Sequence, residues 1–414
     1  MEQKTTAHMG PSSDMWERLE GFVREHIQRF IQALLEEEVT ALLRRPKSAR
    51  RAVVDAATGM RNGYGKPRRL SLTAGTITVR RPRVRGLAER FVSRVLPLFK
   101  RRTREVGELL PTLYLHGLAL GDFDLALRGL LGDAAPLSVT SLTRLKTSWQ
   151  LEYEAWKQRR LDDLEVVYMW ADGLYVKAGL EDTKAALLVM IGALTDGQKV
   201  VLAVESGQRE SKESWGAVLR DLRLRGLKPW RCTVADGHLG IWAALAEQQP
   251  TAAEQRCWNH RITNVLEAVP TKHQAQARTW LCAMPYAESQ DACEEQRAQF
   301  VKRYCQLAPK AVERLLDDWE RLVTFYQFPR EHWRHLRTTN VVESPFAAVR
   351  LRTTAANRFK KVDVATAMIW KILQLAEQTC RRLNAPELLP AVYAGATYVD
   401  GMRQIAVNHP EVAA

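Results

Sequence analysis

Cysteine is scarce in this sequence, and the few cysteines show no pairing pattern. The 414 residues include six of them, far apart: Cys232, Cys257, Cys282, Cys293, Cys305 and Cys380. A small secreted domain held together by disulfides would carry a denser set. No secretion signal is recognisable in the sequence either. We therefore expect reduced thiols in a cytosolic protein.

Long apolar runs and an excess of acidic residues are also missing. The longest apolar run, Ala185–Leu194, has ten residues and lies between Lys184 and Asp196. About twenty apolar residues are needed to span a bilayer as a helix, so we expect no membrane helix. Asp and Glu number 47 against 61 Lys and Arg, which gives a net charge of +14. This surplus favours a polyanionic partner, nucleic acid first and a membrane surface second.

The most informative stretch is Glu165–Gly179, where a carboxylate interrupts an apolar strand. Its β-branched and aromatic residues predict a strand buried on both faces, yet Asp172 lies near its middle. A buried carboxylate is costly unless it is paired, hydrogen-bonded or bound to a cation. A second aspartate, Asp236, ends the short strand Cys232–Ala235 and is also followed by glycine. One Asp-Gly could be an ordinary turn, but two at strands indicate a shared site.

A third acid, Glu343, lies near the start of a helical pattern in Thr338–Arg352. Asn340, three residues earlier, would make Glu343 an ordinary capping-box residue, and the local sequence alone leaves this alternative open. Together with the two aspartates, Glu343 completes a set of three carboxylates. Oxygen ligands of this kind suit Mg²⁺ or Mn²⁺.

The order of strand and helix patterns predicts an α/β fold with a mixed five-stranded sheet. The predicted strands are Val166–Asp172, Lys184–Leu194, Lys199–Glu205, Cys232–Ala235 and Ala253–Trp258. Short turns join the first three, which should pair antiparallel, whereas helices precede the last two, which should be parallel. This is the ribonuclease H-like topology. We expect an all-helical insertion after it and a mostly helical DNA-binding region before it.

Changes in pattern divide the chain into seven segments. We predict an N-terminal helical segment at 1–60, a basic β-hairpin segment at 61–90 and a helical region like a helix-turn-helix at 91–160. The first part of the catalytic core follows at 161–260, the helical insertion at 261–332, the Glu343-bearing part of the core at 333–380 and a tail at 381–414. From Asn384 we expect helix or disorder.

Arginines that could contact DNA cluster in the first third of the chain. A hairpin predicted from strands 70–73 and 76–83 leads into Arg80, Arg81, Arg83 and Arg85. Arginine suits bidentate contacts to phosphate. Further on, short helices broken by glycine lead into a segment in which Arg144 is a candidate for reading bases. A solvated charged face and a plain helical bundle are the alternatives.

Ten short motifs, taken in their order, carry a family resemblance over most of the chain. They are Arg61–Tyr64, Arg80–Arg83, Leu113–Gly117, Ala171–Lys177, Glu213–Lys228, Ala235–Gly240, Gln255–His260, Asn264–Leu266, Thr339–Ser344 and Val349–Thr353. In this order and spacing the sequence resembles the Mutator-type bacterial insertion-sequence transposases, which carry a DDE catalytic triad. The family triad falls on Asp172, Asp236 and Glu343. Pro345 is a departure, and we expect it to move the helix start rather than the role of Glu343.

The resemblance implies an enzyme that binds the terminal inverted repeats of a mobile element and joins its ends to target DNA, in the bacterial cytoplasm at the nucleoid. Two Mg²⁺ or Mn²⁺ ions, roughly 3.5–4 Å apart, would assist water and then a 3′-OH in attacking phosphorus. Asp172 would lie between the ions, with Asp236 on one and Glu343 on the other. Arg350, seven residues after Glu343, and Arg352 would hold DNA phosphates. A homodimer or higher oligomer on DNA is expected.

Cys257 and His260 form a C-x-x-H motif, which is half of a zinc site. Residues that could complete it, such as His273 and Cys282, show no paired spacing. The resembling family carries this motif beside its catalytic core, so a role in supporting the active site is expected. Plain packing and zinc binding are the alternatives, and we expect no tightly bound structural zinc.

Two other functions share part of this pattern. One is a ribonuclease H-like nuclease that cuts DNA but does not join it, and the other is a catalytically inactive DNA-binding regulator. The three intact acids argue against the regulator. The basic region before the core argues against a bare nuclease.

Overall fold

The computed structural model describes most of the chain. The described residues are 12–50, 59–96, 103–118, 122, 125–126, 131, 139–178, 184–207, 209–356 and 359–404. The chain divides into two compact units, with the boundary between Leu145 and Lys146. The helix-turn-helix predicted before Arg144 falls largely on 119–138, most of which lies outside the described residues.

The first unit contains a long helix and two small sheets. Its elements are α1 Ser12–Leu43, β1 Met60–Tyr64, β2 Arg68–Leu72, β3 Gly75–Val79, β4 Pro82–Arg85 and α2 Arg104–Leu115. Leu35 of α1 joins Leu70 and Ile77 of the β2–β3 hairpin in one apolar cluster. This cluster holds the basic strands against the helix.

The predicted hairpin forms, but its second strand is shorter than expected. β2 and β3 pair antiparallel, whereas the prediction of one strand over 76–83 is wrong, because β3 ends at Val79 and β4 pairs with β1 instead. Pro82 has no N–H to continue a ladder, which favours a break before it. Gln32 of α1 fixes the break, since its amide bonds both the N–H and the carbonyl of Arg80, at 2.9 and 2.8 Å.

The second unit is organised around a five-stranded mixed sheet. The helix α3, Val139–Lys157, contains the unit boundary. After it come β5 Val166–Lys177, β6 Lys184–Leu194, β7 Lys199–Gly207, α4 Lys212–Leu224, β8 Cys232–Ala235, α5 Leu239–Gln248 and β9 Ala253–Arg256. The strand order is β7-β6-β5-β8-β9. β6 pairs antiparallel with both β5 and β7, whereas β8 pairs parallel with both β5 and β9. The predicted pairing directions are confirmed.

Helices cover both faces of this sheet. Trp215 of α4 and Ile241 of α5 pack into the same apolar cluster as Met169 of β5. On the other face, Tyr168 of β5 bonds His332 Nδ1 at 2.8 Å and the Trp170 indole N–H donates to the His335 carbonyl at 3.0 Å. Helix α13, Val362–Thr379, contacts the edge strand β7, where its Glu377 accepts a 2.6 Å hydrogen bond from the N–H of Val201. The central strand β5 is therefore almost fully buried along its first half, as its apolar sequence predicts.

A helical insertion separates β9 from the helix that carries Glu343. Its helices are α6 Trp258–Glu267, α7 Thr271–Ala283, α8 Gln290–Tyr304, α9 Pro309–Leu316, α10 Trp319–Val323 and α11 Trp333–Leu336, with short 3₁₀ turns between them. Its first helix begins three residues before the predicted start at Arg261. The insertion packs on the sheet edge, since Gln255 of β9 bonds the backbone of Leu322 and Phe325.

The chain ends in two helices and more regular structure than expected. α12, Asn340–Ala356, continues through 353–356, so the prediction of a break over 353–357 is wrong for these four residues, and α13 follows. Beyond Asn384 the helix α14, Leu389–Tyr393, is followed by a short hairpin of β10, Tyr398–Val399, and β11, Met402–Arg403. The expectation of only helix or disorder in this tail is therefore wrong.

The six cysteines are all free. In the part of the chain that the structure describes, no helix has both the length and the apolar character needed to cross a bilayer.

Candidate active site

Strand register brings Asp172 and Asp236 together. Ala171 of β5 pairs in parallel with Ala235 of β8, and each alanine is followed directly by an aspartate. Asp172 continues along β5, where it pairs with Val189 of β6, whereas Asp236 begins the turn after β8. The N–H of Gly173 donates to Asp172 Oδ1 at 2.8 Å, and the N–H of His238 donates to Asp236 Oδ1 at 2.9 Å.

Burial and neighbouring negative charge act on Asp172. Burial, with the charge of Asp236 and a smaller effect of Glu343, raises the pKa of Asp172 to about 7. The Gly173 N–H and the His260 ring oppose this rise in pKa. The charges of Asp236 and Glu343 therefore both act on Asp172. Too little positive charge lies nearby to keep Asp172 fully ionised at neutral pH.

The glycine after each aspartate is required by close neighbours. A Cβ on Gly173 would lie 2.2 Å from Oε1 of Glu210, and a Cβ on Gly237 would lie 2.2 Å from Nε of Arg256. Gly237 also has φ +99°, a conformation that side chains disfavour. The repeated Asp-Gly therefore reflects crowding around the site.

Glu210 is a fourth acid at this site that sequence reasoning missed. It lies just before Ser211, the residue that caps α4, and it is 6% exposed. Burial and the charge of Asp236 raise the pKa of Glu210, while a hydrogen bond from Tyr175 lowers it. In the sequence it looks like a polar loop residue, and only the packing against Gly173 shows its place.

Thr339 fixes the start of the helix that carries Glu343. Helix α12 begins at Asn340, and the Thr339 carbonyl accepts the N–H groups of Val342 and Glu343 at 2.9 and 3.0 Å. The capping-box alternative for Asn340 and Glu343 is wrong, because the residue before the helix is Thr339, four positions from Glu343. The Thr339 hydroxyl hydrogen-bonds directly to Glu343 Oε1. This contact orients the carboxylate.

Pro345 lies inside α12 and does not move its start, contrary to the expectation from the sequence. Without an N–H, Pro345 cannot donate to the carbonyl four residues earlier, that of Val341. The helix nevertheless continues to Ala356. The position of Glu343 is set by Thr339 before the helix.

The C-x-x-H motif lies against this helix start. The buried Cys257 Sγ is 3.4 Å from the Thr339 N–H nitrogen and 3.2 Å from the Thr339 hydroxyl. His260 Nδ1 is 3.8 Å from Glu343 Oε1. A hydrogen bond with Cys257, aided by the charges of Cys257, Glu343 and Asp236, raises the pKa of His260 to about 9 against the effect of burial. Cys257 therefore contacts the residue that orients Glu343, and His260 lies beside Glu343 itself.

Two backbone and side-chain bonds tie the motif to the same segment. The N–H of Trp258 donates to the carbonyl of Arg337 at 2.9 Å, and the side-chain amide of Asn259 donates to that of Asn340 at 3.2 Å. The start and the end of the insertion therefore lie side by side where they join the core.

Ligand atoms suited to a single ion come together at one point in the described ranges. Cys257, His260 and Glu343 each offer an atom, and these atoms lie within 4.8 Å of one another. Asp172, Asp236 and Glu343 do not form such a tight group among the described residues.

Comparison with known proteins identifies the family. The model of the family described as "Transposase, Mutator family" matches residues 2–380. The chain belongs to this family. It is 41% identical over 296 residues to the transposase for insertion sequence element IS6120 of Mycolicibacterium smegmatis, covering 72% of this chain and 92% of that protein. It is 40% identical to the transposase for insertion sequence element IST2 of Acidithiobacillus ferrooxidans, covering 67% of this chain and 94% of that protein.

The structural comparison is weaker. The Drosophila P element transposase strand transfer complex covers 68% of this chain and 83% of its own, with 12% sequence identity and a TM-score of 0.30. A likeness at this level does not define the fold.

In this Mutator-family transposase most of the arginines predicted to contact DNA are accessible. Arg80, Arg83, Arg85, Arg144 and Arg350 are exposed, and Arg81 is half-buried.

Arg352 is the exception, because it is 2% exposed. The prediction that Arg352 holds a DNA phosphate is therefore wrong for this conformation. It lies nine residues after Glu343, which is half a turn out of phase, whereas Arg350 is close to being in phase. The helix turns Arg352 toward the protein interior.

An open cavity lies beside the acids of this transposase. Lys184, Arg209, Glu210 and His238 line it, together with Tyr175, which is 47% exposed. Two cationic side chains and an exposed aromatic ring at the edge of an acidic site are suited to a chain of phosphates and bases.

Proposed function

We propose that this transposase cuts DNA at the terminal inverted repeats of an insertion sequence and joins the resulting 3′-OH ends to target DNA in a metal-dependent reaction. The observation that carries the proposal is the position of Asp172. It is half-buried next to Asp236 and within the field of Glu343, and the pKa of Asp172 is raised to about 7. A protein keeps such costly crowding of carboxylates where a cation is to be bound.

The donor set fits Mg²⁺ or Mn²⁺. Three carboxylates offer hard oxygen ligands, and bound cations would relieve the repulsion that raises the pKa of Asp172. The three acids do not all come within 4.8 Å of one another. We propose that Asp172, Asp236 and Glu343 together would hold two such ions. Such ions activate the attacking oxygen and stabilise the leaving oxygen of a phosphoryl transfer.

The other residues of the site act on Glu343 and on the substrate. Thr339 orients the Glu343 carboxylate through its hydroxyl. His260, with its pKa raised to about 9, carries a positive charge at neutral pH beside Glu343. That charge suits a DNA phosphate entering the site.

The sheet topology supports the chemistry. The order β7-β6-β5-β8-β9 combines three antiparallel strands with two parallel strands reached through α4 and α5. We propose that this arrangement is a ribonuclease H-like fold, with Asp172 on the central strand, Asp236 directly after the strand beside it and Glu343 on a later helix.

DNA is the proposed partner, as terminal repeats and as target. The net charge of +14 supplies a general attraction. Arg80, Arg83 and Arg85 would contact the phosphates of the terminal repeats, and Arg144 would contribute to base recognition. Arg350, on the face of α12 that carries Glu343, would hold a phosphate near the site. A homodimer or higher oligomer would bring two element ends together.

A joining reaction tests this proposal. Purified protein, a short duplex of the element end with a 3′-OH and a supercoiled target plasmid are incubated with Mg²⁺. We expect covalent joining of the duplex to the plasmid, and no joining when the duplex ends in a dideoxynucleotide. Cutting of intact element ends without any joining would indicate the nuclease instead. Binding without cutting or joining would indicate the regulator.

A further inference from the structure

The cluster of Cys257, His260 and Glu343 differs chemically from the three acids. It combines a sulfur, an imidazole nitrogen and a carboxylate oxygen, all within 4.8 Å of one another. The acids offer only oxygen. Glu343 belongs to both sets: to the three acids, whose ligands are all hard oxygen atoms, and to this cluster, which also contains softer sulfur and nitrogen ligands.

The spacing of the cluster fits a tetrahedral ion. Zinc binds sulfur, nitrogen and oxygen ligands at about 2.0–2.3 Å, so ligands around one tetrahedral zinc lie roughly 3.3–3.8 Å apart. His260 Nδ1 and Glu343 Oε1 are already 3.8 Å apart. To bind one ion together, His260 Nδ1 and Glu343 Oε1 would need to approach each other by less than an ångström.

The surroundings of Cys257 suit a metal-bound thiolate. The backbone N–H nitrogen of Thr339 lies 3.4 Å from Sγ, and an N–H donor stabilises a ligating sulfur; the Thr339 hydroxyl donates to Glu343 Oε1. The bond from Trp258 to the Arg337 carbonyl, at 2.9 Å, holds the two chain segments together. The ligands are therefore positioned before any ion arrives.

We propose that Cys257, His260 and Glu343 form a binding site for one zinc ion or a similar thiophilic divalent cation. Solvent takes the fourth position, since the His260 and Glu343 side chains are 39% and 28% exposed. With three protein ligands and an open fourth position, the site is of the open kind rather than the closed four-ligand structural kind. Binding at neutral pH releases two protons to solvent, one from the Cys257 thiol and one from the His260 ring.

An ion bound at this site would occupy the Glu343 carboxylate, which could then no longer bind magnesium. The transposase would then be held inactive by a metal of the wrong kind until that metal is removed. This consequence rests on the proposed function, whereas the binding site itself does not.

Cobalt titration of the full chain, without DNA or magnesium, tests the site. Co²⁺ replaces zinc in tetrahedral sites, and a cysteine ligand gives a near-ultraviolet charge-transfer band. We expect this band to saturate at one Co²⁺ per chain and to disappear when one equivalent of Zn²⁺ is added. Lack of the band in the native chain would overturn the proposal, whatever the outcome of the joining reaction.

Variants assign the ligands. Cys257→Ser should abolish the charge-transfer band, and His260→Gln and Glu343→Gln should keep the band but weaken Co²⁺ binding at least tenfold. The matched control is Cys282→Ser, which changes an exposed cysteine outside the cluster and should bind Co²⁺ like the native chain. Because Cys257 is buried and its variant could misfold, the two partly exposed ligands provide the second test. Native-like affinity in both of them would refute the three-ligand site.

Discussion

The two units of this transposase hold the side chains proposed to act on DNA in different ways. In the second unit, Asp172 and Asp236 follow paired strand residues, and Glu343 is held by Thr339 at a helix start. In the first unit, Arg83 and Arg85 are exposed on a short two-stranded sheet. Metal ligands must be fixed within a fraction of an ångström, whereas phosphate contacts need only charge within reach. The rigidity around each set matches its proposed task.

The largest effect should come from removing one acid. Asp172→Asn, Asp236→Asn and Glu343→Gln are each expected to abolish strand cleavage, because each removes a charge that holds the metal ions. Binding to element-end DNA should remain. Cleavage of a plasmid carrying the element ends, with gel-shift titration of the same proteins, measures both.

Matched controls are Asp163→Asn and Glu288→Gln, which change exposed acids outside the site in the same chemical way. Both controls should cleave like the native chain. Native-like cleavage by any one of the three site variants would remove that residue from the catalytic assignment.

The pH dependence of stability should reveal the crowding at Asp172. Its pKa is raised from 3.8 to about 7 in the folded chain, so the folded state favours the protonated acid. The native chain therefore loses stability as the pH rises from about 4 to about 7. Asp172→Asn cannot ionise, so in metal-free buffer it should be more stable than the native chain by on the order of 2–4 kcal/mol at pH 8 and little different at pH 4.

Denaturant unfolding at pH 4 and pH 8, with a chelator present, measures this difference. Mg²⁺ at pH 8 should stabilise the native chain and have little effect on Asp172→Asn. A variant that is equally stabilised at both pH values would show that burial and repulsion at Asp172 are not the cause.

Thr339 should matter less than the acids, because it only positions one of them. Thr339→Val removes the hydroxyl with little change in shape and should reduce cleavage by about 10–100-fold, the range found for groups that orient metal ligands. It should also raise the Mg²⁺ concentration needed for half-maximal cleavage. Thr339→Ser keeps the hydroxyl and should restore most of the rate at low Mg²⁺, which a purely packing role of Thr339 would not explain.

The smallest effect per residue is expected for the arginines. Replacing Arg80, Arg83 and Arg85 together by Ala should weaken binding to all duplexes by a similar factor and reduce the log-log salt slope by about 0.9 for each lost contact. Arg144→Ala should leave this slope nearly unchanged and lower the preference for the terminal sequence. Gel-shift titrations at several salt concentrations separate the two, and an unchanged slope in the triple variant would place DNA elsewhere.

Strands and their directions could be predicted because their signals are local. The apolar runs and the short or helical connections around Asp172 and Asp236 were sufficient to give five strands and their pairing directions. The two aspartates were visible as polar residues within or directly after an apolar strand, where the cost of a carboxylate needs a reason.

What could not be predicted depends on residues distant in sequence. Glu210 resembles any loop acid until Gly173 is seen packed against it. The link from Cys257 through Thr339 to Glu343 spans 86 positions of the sequence, with 82 between Cys257 and Thr339 and four to Glu343. The misassigned Arg352 is different, since its helical phase relative to Glu343 was available in the sequence.

The closed base of the helical insertion has a consequence for how the chain can change in length. The backbone N–H of Trp258 is hydrogen-bonded to the carbonyl of Arg337. Residues added or lost between these two positions therefore need not alter the distance from Cys257 to Glu343. The segment at 318–325, which packs on β9 through Arg256–Asp318 and Gln255–Phe325 contacts, leaves little room for such changes. The exposed turn at 305–307 can accept them, so this turn is where relatives can diverge in length and where a tag or a foreign domain could be inserted while the acids keep their places.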